Sequence, residues 1–137
     1  MAITQAMVTS FKVGVLDGTF DFSSGTSQVF KIALYTSSAT LDATTTAYSV
    51  TNEVSGTGYS AGGETLVIAT NPTSSSTTAY LDFDDVTWSS ATITARGALI
   101  YLADGGTNPA VAVLDFGSAS AMKTNSDPQK SENTPVE

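Results

Sequence analysis

Short segments in which apolar and polar residues alternate recur along most of this chain, and they constrain its fold more than any other feature. The clearest alternation lies at residues 28–36, 77–84, 91–102 and 109–116. A period of two places successive side chains on opposite faces of a β-strand. Turn-forming runs of Gly, Ser, Asn and Asp separate these segments. The pattern predicts an all-β fold, an antiparallel β-sandwich or jelly roll.

Two details of the predicted strands depend on particular residues. Residues 64–70 predict a strand that Asn71-Pro72 should end, because the residue before a proline is restricted and proline lacks an N–H. Val86 and Trp88 are expected to continue the sheet after a bulge at residues 84–85.

The N-terminal segment carries a different period. Ile3, Met7, Phe11 and Val15 recur at steps of four, which predicts a short helix over residues 3–16, ended by Asp17-Gly18. The β-branched residues in this stretch weaken the helical pattern, so an extended or mixed segment is the alternative.

The length of 137 residues and mass of 14.1 kDa fit one domain. We assign residues 1–117 to a single β-sandwich domain. Residues 118–137 contain no aromatic residue and are rich in Ser, Asn, Pro, Lys and Glu. That composition predicts a polar, mobile C-terminal tail.

Composition excludes several classes of function. Five basic residues against thirteen acidic ones give a net charge of −8, so nucleic acid and anionic membranes are poor partners. Cysteine and histidine are both missing, which removes thiol catalysis, zinc–thiolate sites and the commonest general base. No apolar run is long enough to span a membrane. The chain also holds 18 Ser and 22 Thr, which suit solvent-facing strand positions.

Residues 58–62, Gly-Tyr-Ser-Ala-Gly, match the G-x-S-x-G pattern of a nucleophile elbow. That motif needs a strand–turn–helix setting and a histidine to accept the serine proton, and this chain has no histidine. Gly56, Gly58, Gly62 and Gly63 also imitate a phosphate-binding loop, but no helix is expected after them. We interpret the whole run as a compact turn whose glycines adopt positive φ.

A group of acidic residues, Asp82, Asp84 and Asp85, is a candidate calcium site if Asp104 or Asp115 lies close by. The spacing is not that of an EF-hand loop, and a solvated acidic face is the favoured interpretation. Paired carboxylates of this kind also serve glycosidases, but no feature of the sequence favours that activity.

Arg96 lies in the middle of a predicted strand. We expect it to pair across strands with Asp82 or Asp115.

Four aromatic residues, Tyr59, Tyr80, Trp88 and Tyr101, are candidates for a sugar-stacking platform. Trp88 stands at an alternating position, so the favoured interpretation places it in the core. We therefore assign no catalytic, cofactor-binding or metal-binding residues, and expect neither enzyme activity nor a cofactor.

Several phrases of the sequence resemble a known family. They are residues 31–41 (Lys-Ile-Ala-Leu-Tyr-Thr-Ser-Ser-Ala-Thr-Leu), residues 52–63 (Asn-Glu-Val-Ser-Gly-Thr-Gly-Tyr-Ser-Ala-Gly-Gly), Val86-Thr-Trp88 and residues 95–101 (Ala-Arg-Gly-Ala-Leu-Ile-Tyr). Over residues 1–117 the chain resembles the capsid cement, or decoration, proteins of tailed bacteriophages, which have a jelly-roll fold. Those relatives would carry another apolar strand where this chain becomes polar after Gly117.

The resemblance implies a non-enzymatic virion structural protein on the capsid exterior. It would bind and stabilise the lattice of the major capsid protein, and it would act as a homodimer or other homo-oligomer. The N-terminal segment, residues 36–63 and the tail are the expected contact regions. The alternative is a tail-associated module that binds a carbohydrate or a receptor.

Overall fold

A computed structural model of the protein describes residues 2–123, with side chains described through Ala119. It contains one helix, α1, and seven strands. Their bounds are β1 (Ala6–Met7), α1 (Thr9–Asp17), β2 (Phe30–Tyr35), β3 (Glu64–Leu66), β4 (Ile68–Ser75), β5 (Thr78–Phe83), β6 (Thr92–Leu102) and β7 (Ala110–Lys123). The predicted all-β class with a short N-terminal helix is confirmed.

The strands form two antiparallel sheets. Five strands lie in the order β1-β7-β6-β2-β3, and β4 and β5 form a separate two-stranded ribbon. Strands β2 and β6 pair from Phe30↔Leu102 to Tyr35↔Gly97. The arrangement is β-sandwich-like: the end of the ribbon meets one face of the five-stranded sheet, where Phe83 contacts Phe22 and Phe22 stacks on Phe30 of β2.

The register of β6 assigns side chains to the two faces of the large sheet. Residues directly opposite each other in an antiparallel pair share a face. Tyr35, opposite Gly97, therefore lies on the same face as Tyr101, which we call the loop face. Ile100 and Leu114 lie on the other, which we call the ribbon face.

The N-terminal helix begins later than its periodicity predicts. Val8 is fully buried and donates its N–H to the Val111 carbonyl, so the chain is extended up to Thr9. The predicted end is confirmed, because Gly18 terminates the helix in the left-handed conformation with φ of 83°. The predicted stripe is wrong in part: Phe11 is buried, whereas Val15 is half exposed.

Asn71-Pro72 does not end a strand, contrary to the sequence prediction. The predicted strand 64–70 is divided at Val67, and β4 then continues to Ser75. The register of β4 against β5 shifts between Thr70 and Thr73, at the position of Pro72. A proline is tolerated at such an irregularity because its missing N–H interrupts no ladder hydrogen bond.

Val86 and Trp88 also differ from expectation. Both are buried, but residues 84–88 form no strand, so their alternation reflects packing of an irregular segment.

At the C-terminal end, β7 pairs with β6 as far as Thr92↔Lys123, six residues beyond the predicted domain boundary at 117. Gly117, with φ of 84°, lies within the interval where the register of this pairing shifts. Continued pairing explains why polar residues there remain in a strand. The rest of the predicted tail, residues 124–137, lies outside the described residues.

Helix α1 has nine residues. Among the described residues, no helix is long and apolar enough to cross a membrane.

Candidate functional site

The Gly-rich run at residues 56–63 is a turn that is tied to the sheet. Gly56, Gly58, Gly62 and Gly63 all have positive φ, as the sequence predicted. Strand β3 begins directly after them at Glu64. The G-x-S-x-G match therefore lacks the strand–turn–helix setting of a nucleophile elbow.

Glu53 organises this loop from inside the protein. Its side chain is only 9% exposed, and it accepts hydrogen bonds from three donors. The Tyr48 hydroxyl lies 2.6 Å from Oε1, the Gly62 N–H lies 2.8 Å from Oε2, and the Tyr59 hydroxyl also donates to Oε2. A buried carboxylate needs such partners to offset the loss of hydration.

Two further tyrosines extend the Glu53 cluster onto the loop face. The Tyr101 hydroxyl donates to the Gly62 carbonyl at 2.7 Å, and the Tyr35 hydroxyl donates to the Ser49 carbonyl at 2.7 Å. The rings of Tyr48 and Tyr101 stack with centroids 4.6 Å apart. Each hydroxyl thus holds a different part of residues 48–62 against the sheet.

The surroundings of these tyrosines make their ionisation harder. Burial raises the pKa of Tyr35, Tyr48, Tyr59 and Tyr101 above the usual 10.0, and the nearby Glu53 carboxylate raises it further. These four phenols therefore keep their protons to a higher pH than an exposed tyrosine does. The hydrogen bonds of the Glu53 cluster are directed at the loop, so its evident role is to hold the loop in place.

The fold separates Asp104 from Asp82, Asp84 and Asp85, but it places Asp115 beside the same groove as these three residues. Asp82, Asp84 and Asp85 are exposed at the end of β5, while Asp104 lies in the β6–β7 turn. Asp104 accepts hydrogen bonds from the backbone N–H groups of Gly106 and Asn108. Within residues 2–123, no three potential ligands are grouped so as to hold a metal ion.

Arg96 pairs with Asp115, one of its two predicted partners. The Gly117 N–H and then the Arg96 guanidinium lower the pKa of Asp115. The backbone N–H of Asp115 donates to the side chain of Gln5 at 3.1 Å, which ties this part of β7 to the N-terminal segment.

The four aromatic candidates do not form a common platform. Trp88 is only 8% exposed, which confirms its core assignment, and its ring stacks near Tyr59 with centroids 6.3 Å apart. Tyr101 is buried in the Glu53 cluster. Tyr80 stands apart on β5 with 47% exposure.

A groove lies between the ribbon and the ribbon face of the large sheet. Its volume is about 340 Å³. Apolar side chains that are mostly half-buried form its floor: Leu66, Leu81, Phe83, Ile100, Leu114 and Phe116. Asp82, Asp84, Asp85 and Asp115 form its rim. We call this feature the acidic groove.

A second surface feature lies on α1. Phe11 and Gly14 face the protein, which turns Val13 and Leu16 outward because they lie on the opposite side of the helix. Val13, Val15 and Leu16 are all more than half exposed, and Leu16 reaches 88%. We call these three residues the α1 patch.

Comparison of the chain with protein-family models, with curated proteins and with solved structures finds no match. The surfaces themselves are therefore the guide to function. Sequence reasoning missed Glu53 and the acidic groove, because both depend on contacts between segments distant in the chain. Of the three residues of the α1 patch, the sequence analysis named only Val15, as part of the helical stripe.

Proposed function

We propose that this protein is a non-enzymatic structural component of a tailed-phage virion. In this role it binds the outer capsid surface and stabilises the lattice of the major capsid protein. The resemblance of residues 31–41, 52–63 and 95–101 to the cement proteins supports the proposal. The α1 patch is the observation that carries it, since three exposed apolar side chains on one short helix suit a protein contact.

Weak contacts of this kind are sufficient on a repeating shell. A patch of three side chains binds a single site weakly, but a protein that touches neighbouring capsid subunits gains from the high local concentration of sites. The net charge of −8 would keep decorated particles apart in solution.

Self-association is part of the proposal. Strand β1 pairs with β7 only at Ala112 and Val113, although β7 continues to Lys123. Between Ala119 and Lys123 the described chain places a strand on one side of β7 only. Such an edge favours strand addition by a second copy, and capsid two-fold positions suit a self-complementary contact.

The α1 patch provides a direct test. We expect the double variant Val13→Asp/Leu16→Asp to lose at least about tenfold in affinity for undecorated capsid shells in cosedimentation, because charges replace apolar contact. Val67→Asp is the control, since Val67 is also more than half exposed but lies between β3 and β4 rather than on α1. Circular dichroism would verify that both variants fold. Unchanged decoration by the double variant would refute the role of this patch.

The alternative function is a tail-associated module that binds a carbohydrate or a receptor. The acidic groove favours it, because carboxylates accept hydrogen bonds from sugar hydroxyls and an apolar floor packs against a sugar ring. A map of the intact particle distinguishes the two functions. Stoichiometric copies on the shell support the capsid role, and a few copies at the tail support the alternative.

A further inference from the structure

The acidic groove is an incompletely covered part of the sandwich. The ribbon meets one end of the ribbon face, where Phe83 contacts Phe22 and Phe22 stacks on Phe30 with centroids 4.3 Å apart. Towards β7, however, Ile100, Leu114 and Phe116 are only half-buried. Further apolar cover there would remove this surface from water.

The rim of the groove selects the charge of an occupant. Asp82, Asp84 and Asp85 are exposed, and Arg96 is already paired with Asp115, the fourth carboxylate of the rim. An occupant with basic side chains would neutralise these carboxylates. A second copy docking by the same groove would instead bring the two acidic rims together, which is unfavourable.

The backbone around the groove favours an extended occupant. Within the described residues, β5 pairs with β4 on one side and with no strand on the other. Beside the groove, two backbone N–H groups of β7 are already engaged, because that of Asp115 donates to Gln5 and that of Gly117 donates to the Asp115 side chain. The free edge of β5 is therefore the place where a strand can be added.

We propose that the acidic groove binds an extended segment of a partner protein in which apolar and basic residues alternate. The segment pairs with the free edge of β5. Its apolar side chains cover Ile100, Leu114 and Phe116, and its Lys or Arg side chains lie beside the rim. This inference goes beyond the capsid role and is independent of it, since it concerns a different surface from the α1 patch.

Fluorescence polarisation with synthetic peptides tests the proposal. The probe is a labelled peptide of alternating Val and Lys, about nine residues long so that it spans a strand of typical length. We expect it to bind, and we expect two peptides of equal length, alternating Val–Glu and Ser–Lys, to bind at least about tenfold more weakly. The first comparison isolates the charge and the second isolates the apolar floor.

Variants then place the peptide in the groove. Asp84→Asn/Asp85→Asn should weaken binding about tenfold at low salt, and the difference should shrink in high salt because these charges are exposed. Glu64→Gln is the control, since Glu64 is an exposed acid outside the groove. Amide hydrogen exchange should slow within β5 when the peptide binds.

Any one of the following results would overturn the proposal. These are equal binding of the Val–Glu peptide, binding that the double variant leaves unchanged, and unchanged exchange in β5. Glycan binding that depends on Asp84 and Asp85, without peptide binding, would also overturn it and would support the carbohydrate module. Loss of shell binding by the α1 variant leaves this result untouched, so the two proposals fail separately.

Discussion

The two faces of the large sheet are covered in different ways. On the loop face, residues 36–63 pack down through hydrogen bonds that converge on Glu53 and on the backbone of Gly62. On the ribbon face, the end of β5 meets apolar side chains through Phe83 and leaves the acidic groove open beside it. The polar groups of the loop face make hydrogen bonds within the protein. On the ribbon face, the apolar floor of the acidic groove and the exposed carboxylates of its rim remain accessible to a partner.

The difference between the two faces predicts that residues of the loop face contribute mainly to stability and that residues of the ribbon face contribute mainly to binding. A buried hydrogen-bonded group is costly to disturb because the partners left behind lose their bonds without regaining water. Exposed carboxylates contribute little to folding. Matched substitutions on the two faces should therefore have very different effects on the free energy of unfolding.

The largest effect is expected at Gly63. A Cβ at this position would overlap the Ile32 carbonyl oxygen of β2, and φ is +80°. Gly63→Ala must displace a strand backbone, so we expect a loss of about 4 kcal/mol or more in urea unfolding. Gly105→Ala is the control, because Gly105 has φ of +76° but no atom within 4 Å of the added Cβ. It should lose only about 1 kcal/mol from backbone strain. Equal losses would mean that the close approach at Gly63 is unimportant.

A smaller effect is expected at Glu53. Glu53→Gln keeps the shape of the side chain but replaces a carboxylate oxygen by an NH₂ group, which cannot accept the bonds now made by Tyr59 and Gly62. We expect a loss of about 2 kcal/mol in the free energy of unfolding. Asp84→Asn, on the rim of the acidic groove, should change it by less than about 0.5 kcal/mol. If both variants are neutral, the Glu53 cluster does not stabilise the loop.

The ribbon face also shows what the sequence can and cannot predict. Alternation located β2, β5, β6 and the start of β7, because a strand with one buried face leaves a period of two in its own residues. The continuation of β4 through Pro72 was not predictable, since it depends on a register shift against another strand. For the same reason the groove was missed: its floor comes from strands far apart in the chain.

The loop face was harder still to predict. Glu53 stands in a polar, Gly-rich stretch with no local pattern, and its partners Tyr48 and Tyr59 lie on either side of it at irregular spacings. Only the fold reveals that these groups meet. The Arg96–Asp115 pair was predictable as one of two options, because neighbouring strands bring opposite charges together across a sheet.

The third prediction concerns the effect of the buried tyrosines on the free energy of unfolding. This effect is the smallest of the three near neutral pH and grows as the solution becomes alkaline. Because their pKa values are raised in the folded protein, the folded state retains phenol protons that the unfolded chain releases above pH 10. Their contribution to stability is therefore complete below pH 10 and is lost as pH rises beyond it. Tyr35, only 1% exposed, should contribute a downward slope of up to about 1.4 kcal/mol per pH unit.

Urea unfolding at a series of pH values from 8 upward tests this contrast between the faces. Tyr35→Phe removes one titrating hydroxyl from the loop face, so it should lower stability at pH 8, where the bond to the Ser49 carbonyl is lost, yet flatten the decline above pH 10. The two curves should converge as pH rises. Tyr80→Phe, on the exposed side of β5, should change stability at pH 8 by less than about 0.5 kcal/mol. Parallel curves for Tyr35→Phe and the unmodified protein would show that the Tyr35 proton is not held by the fold, and that the loop face is no more closed to water than the ribbon face.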